Sequence, residues 1–271
     1  MTALDKEVLA LVRWVSDRII LPRYQRLSAD QIEEKATDDF VTIADRESEL
    51  ALAEGLARID PSLPIVGEEA VHADPAGQAA LSGACWIVDP LDGTHNFAAG
   101  RPPFGILIAR SDGGICRSGW IYDCLSGRFC SAHEGTGAFI NGTRITAHST
   151  GEHPPVAALS MLFLDPAKRA RMKQAITPHY RVVDIPRCAA EQYPRLALGA
   201  NDVSYFERTL AWDHAAGVLF LNEAGGRAAR PDGRPYRVDE HDRPGLIGAD
   251  RKSGSAGMPR PRLASRMPSS A

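Results

Sequence analysis

The sequence predicts a mixed α/β chain built in layers, and three observations predict it. Apolar residues recur at helical spacing near the start. Residues 104 to 147 break into short strands separated by Gly or Asn turns. From residue 156 onward, strands alternate with helices.

The elements follow in order. Leu4, Val8, Leu11, Val12, Val15 and Ile19 share one face, so residues 3 to about 20 read as an amphipathic helix ended by Pro22. A short turn region follows. Thr42 with Asp45 three residues on forms a capping pattern for a second helix running to about Ile59. Ile65-Val66 reads as a very short strand leading into an acidic loop, and "CWIVDP" as a buried strand stopped by Pro90. "FGILIAR", "GICRSGWIYD", "GRFCSAH" and "GAFINGTRI" make the meander. Beyond the linker "HSTGEHPP" (148–155), "AALSMLF" and "RVVDIP" are strands flanking a helix near 166–176. "AAEQYPRLALGA" is a helix kinked at Pro194, and "DVSYFE" a strand. "WDHAAGVLFLNEAGG" is a strongly apolar helix stopped by Gly225-Gly226, and "GLIGA" a last strand. This divides the chain into 1–148, 149–250 and a tail, 251–271. The tail has five basic residues, no acidic ones, three prolines and five serines, and reads as disordered.

Composition removes several function classes. A net charge of −3 gives no electrostatic case for nucleic acid as the main partner. No apolar run reaches the ~20 residues of a membrane span, and the N-terminus carries Asp5 and Glu7 rather than a secretory signal. Five cysteines without a C-x-x-C pair fit a reducing cytoplasm better than a disulfide framework.

Four acidic positions lie where strands or loops meet helices: Asp45, Glu68-Glu69, Asp89 with Asp92, and Asp213. Taken singly each has a plain explanation. Asp213 could cap its helix, Glu68-Glu69 could be a solvated loop, and Asp45 could be a first-turn acid favoured by the helix dipole. "WIVDPLDGTHNF" (86–97) is harder to explain that way. Asp89 emerges from an apolar strand, and no basic residue between Gly83 and Gly100 could pair with it. A buried carboxylate must be paired or bound to a metal. Carboxylates without thiolates or paired histidines select a hard cation, Mg²⁺ or Mn²⁺. If a helix starts at Gly93-Thr94, its N–H groups and the hydroxyl make a phosphate cradle. Together these point to metal-assisted phosphoryl transfer to water.

"GEE" (67–69), "WIVDPLDGTHNF" and "AWDHAAGVLFLNEAGG" (211–226) resemble the three signatures of the inositol monophosphatase family. "EKATDDFVTIAD" (34–45) and "GTGAFINGTRI" (135–145) resemble its N-terminal segment and its hairpin, and the likeness runs over roughly residues 5 to 250. The resemblance implies an αβαβα sandwich of the inositol monophosphatase/fructose-1,6-bisphosphatase type. It implies a phosphatase with two or three Mg²⁺ per site, lithium sensitivity and a homodimer. Carried over, Glu68, Asp89 and the Leu91 carbonyl would hold the first metal, and Asp89, Asp92 and Asp213 the second. Thr94 with Asp45 would orient and deprotonate the attacking water. The Gly93 and Thr94 N–H groups would hold the phosphate, and Glu69 would support the site or help hold a third ion.

Three departures bear on the substrate. His95 stands where the family has a second threonine or a serine. "RCAAEQY" (187–193), with Ala189, replaces a Gly-Ser/Thr-Ala stretch lining the substrate site. Glu207 lies six residues before Asp213 rather than seven, leaving it a minor candidate for a sugar-hydroxyl contact. The tail also stands where the family has a closing helix. The expected function is hydrolysis of a small polyol or sugar phosphate, inositol monophosphate by default. Histidinol phosphate, fructose 1,6-bisphosphate and phosphoadenosine phosphate are the same-fold rivals. A non-catalytic regulatory or binding protein is the alternative of another class.

Overall fold

A computed structural model describes residues 1–36, 39–241 and 243–250. The expectations about the tail and a missing last helix lie outside the described residues.

Helix α1 (Ala3–Val15) opens with a capping box between Thr2 and Asp5 and runs on as a π-helical turn over Ser16–Ile20. The periodicity to Ile19 is therefore one continuous helical face, although its last turn is wider. The expected turn region contains a hairpin, β1 (Ile32–Ala36) against β2 (Asp39–Thr42). Helix α2 (Ile43–Ile59) starts on the Thr42/Asp45 capping box as expected. Strand β3 (Ile65–Gly67) is followed by α3 (Glu68–Ala73), so the acidic pair forms the first turn of a helix rather than a loop.

Strand β4 (Cys85–Asp92) does not stop at Pro90. Against β5 (Gly105–Asp112), Asp89 faces Leu107 and Asp92 faces Gly105, so β4 carries one extra residue there. Pro90 sits in this bulge, where a missing N–H breaks no regular ladder bond. A short helix, α4 (Thr94–Ala98), follows at once. The meander continues as β6 (Ile115–Asp123), β7 (Phe129–His133), β8 (Gly137–Ile140) and β9 (Thr143–Ile145), completing a seven-stranded sheet in the order β3 to β9.

The second sheet has five strands: β10 (Val156–Ser160), β11 (Arg181–Val183), β12 (Val203–Phe206), β13 (Arg227–Ala229) and β14 (Leu246–Ala249), ordered β11-β10-β12-β14-β13. Strand β13 has no counterpart in the sequence reading. Its three residues are too few to carry a period. The helices here are α5 (Pro166–Ile176), α6 (Ala189–Ala197, with Pro194 inside) and α7 (Ala211–Glu223).

The layers follow from burial. On one face of the large sheet, Val8, Val12, Leu52 and Leu56 of α1 and α2 pack on Trp86, Ile108 and Trp120. On the other face, Tyr193, Ala216 and Phe220 of α6 and α7 pack on Ile87, Leu107 and Ile121, and the same cluster reaches Phe206 and Leu246 of the small sheet. Met172 and Ile176 of α5 close the far face of the small sheet. The order is α–β–α–β–α, as the resemblance implies. Helix α7 lies between two sheets, which is why its sequence is apolar all round. The close fit needs Gly119, where a Cβ would lie 2.8 Å from the Ala216 backbone.

Candidate metal and phosphate site

Three elements bring Glu68, Asp89 and Asp213 together, with one oxygen from each within 4.8 Å of the others. Glu68 opens α3, Asp89 sits at the β4 bulge, and Asp213 is the third residue of α7. Asp213 is thus not the cap of its helix; Leu210 holds that position. An open cleft of about 880 Å³ runs over the cluster and is lined also by Leu91, Asp92, Gly93, Thr94, His95 and Ala189. Asp92 lies beside the trio rather than in it, and one of its oxygens accepts the Ala190 N–H at 2.6 Å.

The electrostatics are those of a site short of positive charge. Burial, then the nearby Glu68, Asp92 and Asp213, pushes the Asp89 carboxyl well above the ordinary range. Burial and Asp213 raise Asp92 to about 7, and burial raises Asp45 to about 7. Among the described residues, a buried lysine sits against the two glutamates. Lys35 of β1 reaches Glu68 at 3.1 Å and Glu69 at 3.0 Å, with its side chain 6% exposed. Burial works against its charge, but the two glutamates outweigh that and raise its pKa. Glu68 is still pushed up to about 8, because burial and its acidic neighbours outweigh one ammonium. All the donors of the trio are carboxylate oxygens, with no sulfur or imidazole among them, which fits a hard divalent cation.

Next to this cluster, Thr94 Oγ1 donates to Asp45 Oδ1 at 2.8 Å and lies 2.9 Å from the Leu91 carbonyl. Asp45 is held in turn by the Thr42 N–H at 2.7 Å and the Thr42 hydroxyl at 2.6 Å. So the capping box that starts α2 also aims its acid at Thr94. Gly93 adopts φ +84°, and a Cβ there would lie 2.8 Å from the Pro103 carbonyl. Only glycine suits this turn from β4 into α4.

Two supporting residues were not singled out from the sequence. Lys35 is one; its segment was matched, but its ammonium had no role. Glu49 is the other. It accepts the Glu69 N–H at 2.8 Å and the Ala70 N–H at 2.7 Å, anchoring the first turn of α3. Gly67 leaves room for it, since a Cβ there would meet the Glu49 carboxylate at 2.4 Å. Its signal was present: Asp45 and Glu49 are four apart on one helix and share a face.

On the substrate side, His214 is neutral. Burial lowers its pKa to about 3; its Nε2 donates to the Arg208 carbonyl at 3.1 Å, and its Nδ1 accepts from the Tyr193 hydroxyl at 2.8 Å. Glu207 does not line the cleft: Tyr205 donates its hydroxyl to the Glu207 carboxylate. The expected sugar contact is turned to its own sheet, because Glu207 follows directly on β12.

The family model described as the inositol monophosphatase family matches residues 5–260. An inositol-1-monophosphatase of Bacillus subtilis is 29% identical over 249 residues, covering 89% of this chain and 90% of its own. A protein of Haemophilus influenzae named Nus factor SuhB is 33% identical over 215 residues, covering 77% and 78%. The structure of an inositol monophosphatase of Thermotoga maritima superposes with a TM-score of 0.78 over 98% of this chain and 97% of that one, at 24% identity.

Proposed function

The chain belongs to the inositol monophosphatase family, and on that premise we propose that it is a Mg²⁺-dependent phosphomonoesterase acting on a small polyol or sugar phosphate. The observation that carries the proposal is the convergence of Glu68, Asp89 and Asp213 beside the Thr94–Asp45 pair. Glu68, Asp89, Asp92, Asp213 and the Leu91 carbonyl would hold the cations, two or three per site, with Mn²⁺ as an alternative. Bound Mg²⁺ supplies charge that stabilises the phosphoryl group and the leaving alkoxide.

The chain's own residues do the rest. The Gly93 and Thr94 N–H groups orient the phosphate over the start of α4. The Thr94 hydroxyl passes its proton to Asp45 and takes one from the attacking water. Oxygen of that water bonds to phosphorus, the ester P–O bond breaks, and the alkoxide leaves, taking a proton from solvent to become the alcohol while Asp45 returns its proton to solvent. Burial favours this transfer, because an Asp45 raised to about 7 is a stronger base than an ordinary aspartate. Lys35 holds Glu68 and Glu69 ready for the ion.

A panel of phosphomonoesters assayed with Mg²⁺, with Mg²⁺ plus Li⁺, and with a chelator tests this reading. Release that depends on Mg²⁺ supports it, and no release from any member sinks it. A second reading, a binding role on the same fold, is favoured by relatives named Nus factor SuhB. Absence of turnover in the same panel would favour that reading.

A further inference from the structure

The metal and phosphate residues account for part of the cleft lining, and the small sheet supplies another part. Strands β10, β11 and β12 run parallel. The segments leaving their carboxyl ends all line the cleft: Met161, Leu162 and Phe163 after β10, Ile185 after β11, and Arg208 after β12. Ligands of open α/β sheets bind outside the carboxyl ends of such strands. The cleft volume of about 880 Å³ lies near the upper end of the ~300–1,000 Å³ of small-molecule sites, more room than a phosphorylated six-carbon polyol fills.

The segment after β10 is apolar and held in place. Leu162 is 36% exposed and Phe163 42%. Exposed apolar residues scattered singly are ordinary, but these two are adjacent and line a cleft. Arg169 of α5 clamps their backbone: its Nε donates to the Met161 carbonyl at 3.1 Å, and its Nη2 to the Leu162 and Leu164 carbonyls at 3.1 and 3.2 Å. Leu164, 5% exposed, anchors the loop among Met172 and Ile176. Asp165 then caps α5 by accepting the Lys168 N–H at 2.8 Å. The Arg208 guanidinium carbon lies 4.4 Å from the centre of the Phe163 ring, a cation–π contact that orients the ring. Three of the loop's carbonyls are thus turned to Arg169, and the side chains of Met161, Leu162 and Phe163 carry no hydroxyl or charge. A polyol hydroxyl set against them would lose water without gaining a hydrogen bond. An apolar ring there would take the exposed surface of Leu162 and Phe163 out of water.

We propose that Leu162 and Phe163 form an apolar wall that recognises the leaving part of the substrate, so the preferred phosphomonoester carries an unsaturated ring on its alcohol. This rests on the phosphatase reading above and narrows its substrate class. An aromatic ring against Phe163 adds edge-to-face or offset stacking to the burial of apolar surface. Arg169 acts at one remove, as a positioning residue that fixes the loop on which the wall is built.

The test compares kcat/KM within matched pairs of esters, all with Mg²⁺: phenylethyl, phenylpropyl and phenylbutyl phosphate, each against the straight-chain alkyl phosphate without the ring. Every member leaves as a primary alkoxide, so the chemistry at phosphorus is matched and the ratio reads the ring. In the best-fitting pair the ring-bearing ester is expected to win by about tenfold or more, the effect of burying a side chain the size of phenylalanine's. In F163A, and separately in L162A, that ratio should fall toward one. The ratio is taken inside each variant, so a general loss of activity cancels. Equal kcat/KM in all three pairs overturns the wall and leaves the phosphatase reading standing. A preference for the ring that survives both substitutions overturns the assignment to these residues. No hydrolysis of any ester, polyol phosphates included, overturns both readings.

Discussion

Replacing Glu49 tests how far the proposed metal site depends on what lies beneath it. Glu49 accepts two backbone N–H groups at 2.8 and 2.7 Å, and those groups start the helix that carries Glu68. Charge-assisted hydrogen bonds contribute ~1.5–3 kcal/mol each. Burial, which raises the Glu49 pKa, offsets part of that. Glu49→Ala should therefore cost about 2–4 kcal/mol, seen as a drop in Tm on the order of 5–10 °C for a chain this size. It should also weaken Mg²⁺ half-saturation of phosphate release by about 10–100-fold, as loss of a group that orients a metal ligand does. Glu49→Gln keeps one acceptor oxygen but presents an NH₂ to the other N–H, so it should fall between wild type and Glu49→Ala. The two readouts separate roles. If Tm falls while Mg²⁺ half-saturation stays at the wild-type value, Glu49 merely holds a helix, and the positioning argument is wrong.

Other outcomes follow from the same geometry. Asp92→Asn removes a charge from the proposed cation site and should lower kcat by at least about 100-fold, since the ion's stabilisation is worth several kcal/mol; near-normal turnover would remove Asp92 from the proposed ligand set. Gly93→Ala forces a Cβ to 2.8 Å from the Pro103 carbonyl at φ +84°, so denaturant unfolding should register a loss above the ~1–2 kcal/mol of left-handed strain alone. Asp5 accepts from the Trp120 indole at 2.8 Å and from the Thr2 N–H at 2.7 Å. Burial opposes its charge, but these bonds and His133 hold its pKa below the ordinary aspartate value. A depressed acid stabilises the fold above its unfolded pKa and loses that contribution as pH falls through the folded pKa. The Tm gap between wild type and Asp5→Asn should therefore be open at pH 7 and close as pH drops below about 4; a gap independent of pH would contradict the shift.

Much of this arrangement was legible in the sequence because its signals are local. The capping box at Thr42 and Asp45, the apolar face of α1 and the glycine-punctuated meander each fit within a short window. So does the motif around Asp89 and Asp92, where the charges themselves announce the site. What was missed depends on partners distant in the chain. Lys35 reaches Glu68 and Glu69 across 33 and 34 residues, so a search for a cation near Asp89 in sequence could not find it. Glu49 serves Glu69 and Ala70 through backbone groups, which leave no mark in side-chain spacing. Pro90 read as a stop because a proline inside a regular strand would be one; the bulge that admits it is a property of the pairing with β5. Glu207, a minor candidate because its spacing to Asp213 departs from the family's by one residue, does not line the cleft; a local bond from Tyr205 directs its side chain elsewhere.

The most direct measurement is phosphate release in oxygen-18 water, with Mg²⁺ and with a chelator, using the matched esters above and both wild type and Thr94→Val. The account predicts Mg²⁺-dependent release with one water oxygen in the phosphate, none in the alcohol, and a large loss of rate in Thr94→Val. Release that persists in chelator, or label appearing in the alcohol, would contradict it.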